Sequence, residues 1–205
     1  MRVLFFSLLI IVLDQISKLF VKGFSVPFLG IEYHGMYPGQ SIPVIDKFLF
    51  ITYIENPNMA FGVDIGSKLF LTVFSIVASV GIIVYLYFIR ERNLRVRLPL
   101  AVIVGGAIGN LIDRMFYGVL YGTAPLFHGN VVDFINFDLF TVDFNNWHFK
   151  FWPIFNIADM AVSVGVLLLI FFGNTMRLPH VKEVTGGTQA PPATAKTESS
   201  SDSST

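Results

Sequence analysis

The chain has 205 residues, of which 54% are hydrophobic and 14% are charged, and its mean hydropathy is +0.66. Charged residues make up about 25% of a soluble domain, so this composition argues against a water-soluble protein and predicts a polytopic membrane protein. The formal net charge is zero, which gives no electrostatic basis for binding nucleic acid, and we expect no such partner. Cysteine is absent, which excludes disulfides, thiolate metal ligands and a cysteine nucleophile.

Four apolar segments approach the length of about 20 residues that a helix needs to cross a bilayer. They lie at about residues 3–21, 69–89, 98–116 and 153–172. The first could be a signal peptide, but Asp14 and Lys18 interrupt it and no cleavage signal follows, so we interpret it as a retained span. We therefore predict an α-helical membrane protein with four transmembrane helices in one domain, residues 1–182.

Basic residues predict the orientation of these spans. The short link Arg90–Arg97 between the second and third spans carries four arginines, and short basic loops stay in the cytoplasm. Both termini should then be cytoplasmic, and residues 23–68 and 117–152 should face outward. Residues 183–205 are rich in Ser, Thr, Pro and Gly, which predicts a disordered cytoplasmic tail.

Polar residues interrupt three of the spans at a similar depth. At 1.5 Å per residue, Asp14 and Asn110 lie about 18 Å from the inner face, and Asp159 lies about 9 Å below the outer face. Residues three or four apart on a helix share a face, and each span has one such polar stripe: Asp14 with Lys18, Asn110 with Asp113 and Arg114, and Asn156 with Asp159. We expect these stripes to face one another in the outer half of the membrane.

The acids at this level outnumber the bases. Lys18 and Arg114 each have an aspartate within one turn of their own helix, whereas Asp133 and Asp159 have no obvious cationic neighbour. Two unpaired carboxylates brought together in a low-dielectric site cannot both ionise easily, so one holds a proton. An aspartic peptidase uses this arrangement, but a small transporter or proton-conducting protein could use the same buried acids.

Five blocks of sequence, in order, resemble the lipoprotein signal peptidases (signal peptidase II), which are aspartic peptidases of bacterial membranes. The blocks are DQISK from Asp14, NPNMAFG from Asn56, GAIGNLIDR from Gly106, NVVDF from Asn130 and FNIAD from Phe155. Asn58 stands where the second block usually has Gly, and we expect the turn to survive because Asn tolerates a positive φ. Together the blocks cover the chain from the first span to the fourth.

The resemblance implies an activity and a site. Members cleave the signal peptide of a prolipoprotein just before a cysteine that carries diacylglycerol. Asp133 and Asp159 match the two catalytic aspartates. The resemblance assigns nine further residues to support of this pair or to substrate binding: Asp14, Lys18, Asn56, Asn110, Asp113, Arg114, Asn130, Asn156 and Ala158.

It also implies a small extracytoplasmic β-sheet cradle and a lid segment, and Ile42–Ile54 has the β-branched and aromatic residues typical of such strands. We expect a monomer in the bacterial cytoplasmic (inner) membrane, with its active site at the outer leaflet. Its partners would be the diacylglyceryl-modified prolipoprotein and membrane lipids, without a metal or cofactor. We expect the aromatic segment 137–152 to lie on the outer membrane surface and the glycines of the third span to serve helix packing.

Overall fold

The computed structural model describes residues 2–57, 59–60, 63–64, 68–138, 141–144, 147–150 and 153–172. Asn58, the predicted tail at 183–205 and the predicted domain boundary at 182 lie outside the described residues.

The described residues form a bundle of apolar helices, four of which are 16 to 21 residues long and one of which is a short turn of 3 residues. The helices are α1 (Leu4–Lys22), α2 (Lys68–Phe88), α3 (Leu94–Ile112), α4 (Gly118–Leu120) and α5 (Ile157–Phe172). A π-helical turn, Asp113–Tyr117, joins α3 to α4. By length and hydropathy α1, α2 and the continuous helical stretch Leu94–Leu120 can each cross a membrane, whereas α5 is a shorter apolar helix of 16 residues. The protein is thus an α-helical membrane protein, and the number of four spans stays a prediction.

Helix α3 packs between α1 and α5, and its glycines make the close packing possible. A Cβ added to Gly105 would lie 3.0 Å from the Ser7 backbone of α1, and one added to Gly106 would overlap the Ala158 carbonyl of α5. The Ser7 hydroxyl donates a 2.6 Å hydrogen bond to the Ala101 carbonyl across the first of these interfaces. The prediction that these glycines serve helix packing is confirmed.

Small antiparallel sheets accompany the helices. The strands are β1 (Phe24–Val26), β2 (Ile31–Tyr33), β3 (Ser41–Ile45), β4 (Leu49–Asn56), β5 (Met59–Ala60), β6 (Val63–Asp64), β7 (Val131–Phe137), β8 (Thr141–Phe144) and β9 (Trp147–Lys150). The largest sheet has the order β3-β4-β7, and β1–β2, β5–β6 and β8–β9 each form a two-stranded hairpin. Strands β3 and β4 confirm the β-structure predicted for Ile42–Ile54.

A buried apolar cluster joins the three-stranded sheet to the helix ends beside it. Its members are Val21, Tyr53, Tyr117, Val132 and Phe134. A second cluster, of Val3, Leu86, Ala101 and Val104, lies toward the other end of the bundle. The first cluster fixes β7, and therefore Asp133, against the helices.

The chain pairs with β7 immediately before α5 begins. The Phe155 N–H donates to the Ile135 carbonyl at 3.1 Å, and the Ile135 N–H returns a 2.7 Å bond to the Phe155 carbonyl. Helix α5 consequently begins at Ile157, so the prediction of a helix from Pro153 was wrong. Asp159 lies in the first turn of its helix rather than more than a turn inside it.

Candidate active site

Asp159 is the third residue of α5, and Asn156 caps this helix. The Asn156 Oδ1 accepts a 2.9 Å hydrogen bond from the Asp159 N–H, and the Asp159 Oδ2 accepts a 3.2 Å bond from the Asn156 N–H. This reciprocal pair is a capping box, which satisfies two of the free N–H groups at a helix N-terminus. It holds the Asp159 carboxylate at the positive end of the α5 dipole.

Asp133 lies on β7 with only 3% of its surface exposed. Its Oδ1 accepts a 2.6 Å hydrogen bond from the Asn156 Nδ2, and its Oδ2 accepts a 3.1 Å bond from the Asn56 Nδ2. Burial, together with the charge of Asp159, raises the pKa of Asp133 to about 7, although these two hydrogen bonds act to lower it. Asn156 therefore binds both aspartates, one through its side-chain amide and the other through the capping box.

Asn110 of α3 connects this pair to the interior. Its Nδ2 donates to the Asp159 Oδ1 at 2.8 Å, while its Oδ1 accepts from the Lys18 Nζ at 2.9 Å and from the Asn156 Nδ2 at 3.1 Å. An ammonium group can only donate, so Lys18 fixes which end of the Asn110 amide faces Asp159.

Lys18 is completely buried between two aspartates. Its Nζ lies 2.8 Å from the Asp14 Oδ2 and 2.8 Å from the Asp113 Oδ2, and all three side chains have zero exposure. The pairing of Lys18 with Asp14 was predicted from their spacing. Arg114 was considered the neighbour of Asp113, but the ion pair that Asp113 makes is with Lys18 of another helix.

The same two carboxylates hold the backbone beside the catalytic candidates. The Asp14 Oδ1 accepts a 2.9 Å bond from the Ala158 N–H, and the Asp113 Oδ2 accepts a 3.1 Å bond from the Val132 N–H. Ala158 and Val132 immediately precede Asp159 and Asp133. Lys18 thus joins the two carboxylates that fix the chain next to each aspartate.

Gln15 belongs to this network, although the sequence analysis did not select it as a site residue. Its Nε2 donates to the Asp113 Oδ1 at 2.9 Å and to the Gly109 carbonyl at 3.1 Å, and its Oε1 accepts from the Tyr117 hydroxyl at 3.1 Å. Its place inside the DQISK block was the signal that could have selected it.

Arg114 lies in the π-helical turn after α3, and its charge acts on Asp133 and Asp159 as well as on Asp113. Its Nε is buried without a hydrogen-bond partner among the residues that the structure describes. π-Helical turns occur often at functional sites. A buried cation with unused donor capacity beside two acids is suited to binding a polar group of a substrate.

Asn130 hydrogen-bonds to a polar cluster that does not include the two aspartates. Its Nδ2 donates to the Glu55 Oε2 at 3.1 Å, and its Oδ1 accepts from the Lys68 Nζ at 2.6 Å. Glu55 also pairs with Lys22 and accepts a 2.6 Å bond from the Tyr53 hydroxyl. Burial raises the pKa of Glu55, but the donors around it outweigh that effect, so the net pKa is lowered. This cluster supports β4 next to Asn56, and sequence reasoning missed Glu55, whose position beside Asn56 was the available signal.

The chain's sequence matches a known family along most of its length. The profile of the family described as Signal peptidase (SPase) II matches residues 6–174. The chain belongs to the signal peptidase II family. This membership favours the peptidase over the transporter among the alternatives that residue spacing left open.

Individual relatives of the family agree with this match. A "Lipoprotein signal peptidase" of Porphyromonas gingivalis is 37% identical over 199 residues, covering 83% of this chain and 82% of the relative. One of Pelodictyon phaeoclathratiforme is 38% identical over 176 residues, covering 84% and 91% respectively.

The fold also matches a solved bacterial membrane enzyme. A structure titled "Bacterial membrane enzyme structure by the in meso method at 2.3 A resolution" has a TM-score of 0.62 and 29% sequence identity. The match covers 89% of this chain and 94% of that one. This chain of the signal peptidase II family is a bacterial membrane protein.

Proposed function

We propose that Asp133 and Asp159 are the catalytic pair with which this peptidase removes signal peptides from prolipoproteins. The observation that carries the proposal is that Asn156 binds both carboxylates, one through its side chain and one through the capping box. The raised pKa of Asp133, at about 7, supports a division of labour in which one acid is protonated and the other ionised.

The chemistry follows from this division. Asp159 accepts a proton from water as the water oxygen attacks the carbonyl carbon of the scissile peptide bond, and protonated Asp133 donates its proton to the carbonyl oxygen. In the tetrahedral intermediate the carbon–nitrogen bond breaks while a proton passes from Asp159 to the leaving amine. Asp133 recovers its proton as the carbonyl re-forms. Asp159 ends ionised, as it began.

The surrounding residues keep this geometry and bind the substrate. Asn156, Asn110 and Asn56 donate N–H groups to the two carboxylates and hold them in place. Arg114, whose buried Nε has no hydrogen-bond partner among the described residues, binds a carbonyl oxygen of the substrate. Lys18 positions the pair through its two aspartate partners.

The bond that is cut lies just before a diacylglyceryl-modified cysteine, and the active site lies at the outer leaflet. In support of this location, Asp159 is linked through Asn110 to Lys18, one turn before Lys22 at the end of α1. Leu86, just before the basic link, lies in the same buried cluster as Val3 at the opposite end of α1. Both termini face the cytoplasm, and the enzyme acts as a monomer. Lipid anchoring of the cysteine keeps the scissile bond at the membrane surface, where these acids would meet it.

The test is cleavage of a purified diacylglyceryl prolipoprotein by Asp133→Asn and Asp159→Asn variants. Each carboxylate loses the ability to accept or donate the catalytic proton, so loss of signal-peptide release is expected from both while folding persists. Asp46→Asn, the same chemical change in an exposed turn between β3 and β4, is the matched control and should cleave normally. Normal cleavage by both site variants would refute the assignment.

Orientation is tested separately with single cysteines, since the chain has none. A membrane-impermeant thiol reagent added to intact cells should label Asp46→Cys. It should leave Glu91→Cys, in the basic link, unlabelled until the cells are opened. Labelling of Glu91→Cys but not of Asp46→Cys in intact cells would show that the proposed topology is inverted. The assignment of the catalytic pair would not be affected.

A further inference from the structure

The β1–β2 hairpin, residues 24–33, has one apolar face and one polar face. Phe24 pairs with Tyr33, Val26 pairs with Ile31, and Ser25 pairs with Glu32 between them. Directly paired residues lie on the same face of an antiparallel ladder, and successive residues alternate between faces. All four residues of one face are therefore apolar, and the other face carries the serine and the glutamate.

The turn of this hairpin is apolar and exposed. It is a single 3-10 turn, Pro27–Leu29, in which Phe28 is 86% exposed and Leu29 is 60% exposed. An isolated two-stranded hairpin is at best marginally stable in water, and a contiguous exposed apolar surface marks a place where something else binds.

The apolar face continues the lipid-facing surface of α1. The exposed residues Leu9, Leu13, Ile16 and Phe20 recur every three or four positions along α1, and Asp14 and Lys18 are buried on the opposite side. The Phe20 ring, 59% exposed, packs edge-on against the Tyr33 ring of β2 at 6.0 Å between centroids. One apolar surface thus runs from the helix onto the hairpin.

Two glycines fix the hairpin to the end of α1. Gly23 has a φ of +87°, and a Cβ on it would lie 2.5 Å from the Tyr33 carbonyl oxygen, so another residue would be strained and would clash. A Cβ on Gly35 would overlap the Gly23 backbone nitrogen. The Met36 N–H donates to the Val21 carbonyl at 2.7 Å, and the Tyr121 hydroxyl donates to the Gly23 carbonyl at 2.6 Å. The hairpin leaves and rejoins α1 at one closely packed point, so its position relative to the membrane follows that of α1.

We propose that the β1–β2 hairpin is a membrane anchor whose apolar face and Phe28–Leu29 tip insert into the leaflet at the Lys22 end of α1. The occupant of the apolar surface is phospholipid of the membrane that α1 crosses, because that surface is continuous with the lipid-facing stripe of α1. The only charged side chain of the hairpin, Glu32, lies on the opposite face, where it meets water and headgroups. An interfacial element of this kind reaches about 5–10 Å into the boundary between headgroups and acyl chains.

The anchor steadies the sheet that carries Asp133. Strand β3 begins eight residues after β2 ends, and β3 pairs with β4, which pairs with β7. Insertion of the hairpin would therefore restrain this sheet at the membrane surface. The inference does not depend on the chemistry of the two aspartates.

The absence of native cysteine makes the test direct. Nitroxide spin labels are attached to single-cysteine variants of the full chain in vesicles of phosphatidylethanolamine and phosphatidylglycerol. Power-saturation electron paramagnetic resonance then compares the collision of each label with oxygen, which concentrates in lipid, and with a water-soluble nickel chelate. Leu13→Cys on the exposed stripe of α1 supplies the lipid reference, and Glu91→Cys supplies the aqueous reference.

Labels at Phe28→Cys and Leu29→Cys should give oxygen-to-nickel ratios near that of Leu13→Cys and well above that of Glu91→Cys. Labels on the polar face, at Ser25→Cys and Glu32→Cys, should give lower ratios than the tip and serve as matched controls in the same hairpin. Far-UV circular dichroism and gel filtration check that each variant is folded. The Phe28→Cys and Leu29→Cys variants are evaluated separately, so that if one of them is unstable the other still tests the proposal.

Two results would overturn the proposal. Ready collision of both tip labels with the nickel chelate would place the tip in water. Protection of the tip from oxygen and nickel together would mean that protein, such as a second copy of the chain, covers it instead of lipid.

Discussion

Asn156 and Asp159 form a reciprocal capping box in which each side chain accepts a hydrogen bond from the backbone N–H of the other residue. The first turn of α5 therefore cannot be separated from the candidate active site, because the capping asparagine also donates its Nδ2 hydrogens to the Asp133 Oδ1 and to the Val132 carbonyl. One residue begins the helix and holds both aspartates.

The two tasks of Asn156 can be separated by substitution. Asn156→Ser keeps an oxygen that can cap the helix but removes the amide that binds Asp133, so it should lose less thermal stability than Asn156→Ala. Loss of a hydrogen bond to a carboxylate costs about 1.5–3 kcal/mol, so kcat/KM for prolipoprotein cleavage should fall by about one to two orders of magnitude. Asn156→Ala should lose the cap as well and unfold at a lower temperature. Equal activity of Asn156→Ser and the wild type would contradict the proposed link to Asp133.

Lys18 should be essential for stability as well as for activity. Lys18→Met keeps the length and the apolar stem of the side chain but leaves Asp14 and Asp113 as uncompensated buried carboxylates. Breaking a buried pair in this way costs about 3–5 kcal/mol, measured as a loss of thermal stability in detergent. Lys47→Met, at an exposed turn, is the control and should unfold as the wild type does. Restoration of stability when Asp14→Asn and Asp113→Asn are added to Lys18→Met would identify the unpaired charges as the cause.

Local patterns predicted the parts of the site that depend on sequence neighbours. The spacing of Asp14 and Lys18 predicts their ion pair because residues four apart face the same side of a helix. The partnership of Lys18 with Asp113 was not predictable, because it depends on how α1 packs against the end of α3. The π-helical turn that holds Asp113 and Arg114 likewise has no periodic signal in the sequence.

Hydropathy alone does not locate the first residue of α5. Hydropathy extends the fourth segment back to Pro153, but the structure pairs Phe155 with Ile135 of β7, and this tertiary contact keeps the chain extended until Asn156. Asn156 followed three residues later by Asp159 was a capping signal that would have corrected the boundary. The alternation in β1 and β2 could similarly have predicted the hairpin, which was instead included in one long outer segment.

The pH dependence of catalysis should report the proton on Asp133. The pKa of this buried acid is raised to about 7, and an acid that donates a proton is active below its pKa. We therefore expect kcat/KM to fall as the pH rises through about 7, by about tenfold per pH unit once the acid is mostly ionised. Asn56→Ala removes a hydrogen-bond donor that lowers this pKa. In this variant the fall of kcat/KM should therefore begin at a higher pH, even though the maximal rate is lower. Asp46→Asn should leave the pH of this decline unchanged. The assignment would be contradicted if Asn56→Ala left the pH of the decline unchanged or shifted it to lower pH.

Gly109 should be irreplaceable because Asp14 and α5 both pack against it. A Cβ at this position would lie 2.7 Å from the Asp14 Oδ2 and 3.2 Å from the Ala158 Cβ. The Asp14 Oδ2 is bound to Lys18, and its Oδ1 holds the Ala158 N–H, so the carboxylate cannot move away without breaking one of these bonds. We expect Gly109→Ala to destabilise the protein by about 1–3 kcal/mol in thermal unfolding, and to lower kcat by displacing Asp159. Gly81→Ala is the matched control, because a Cβ on Gly81 in α2 would meet nothing within 4 Å and alanine favours the helix. Equal stability and activity of the two variants would show that the contact between Asp14 and Ala158 does not fix the position of Asp159.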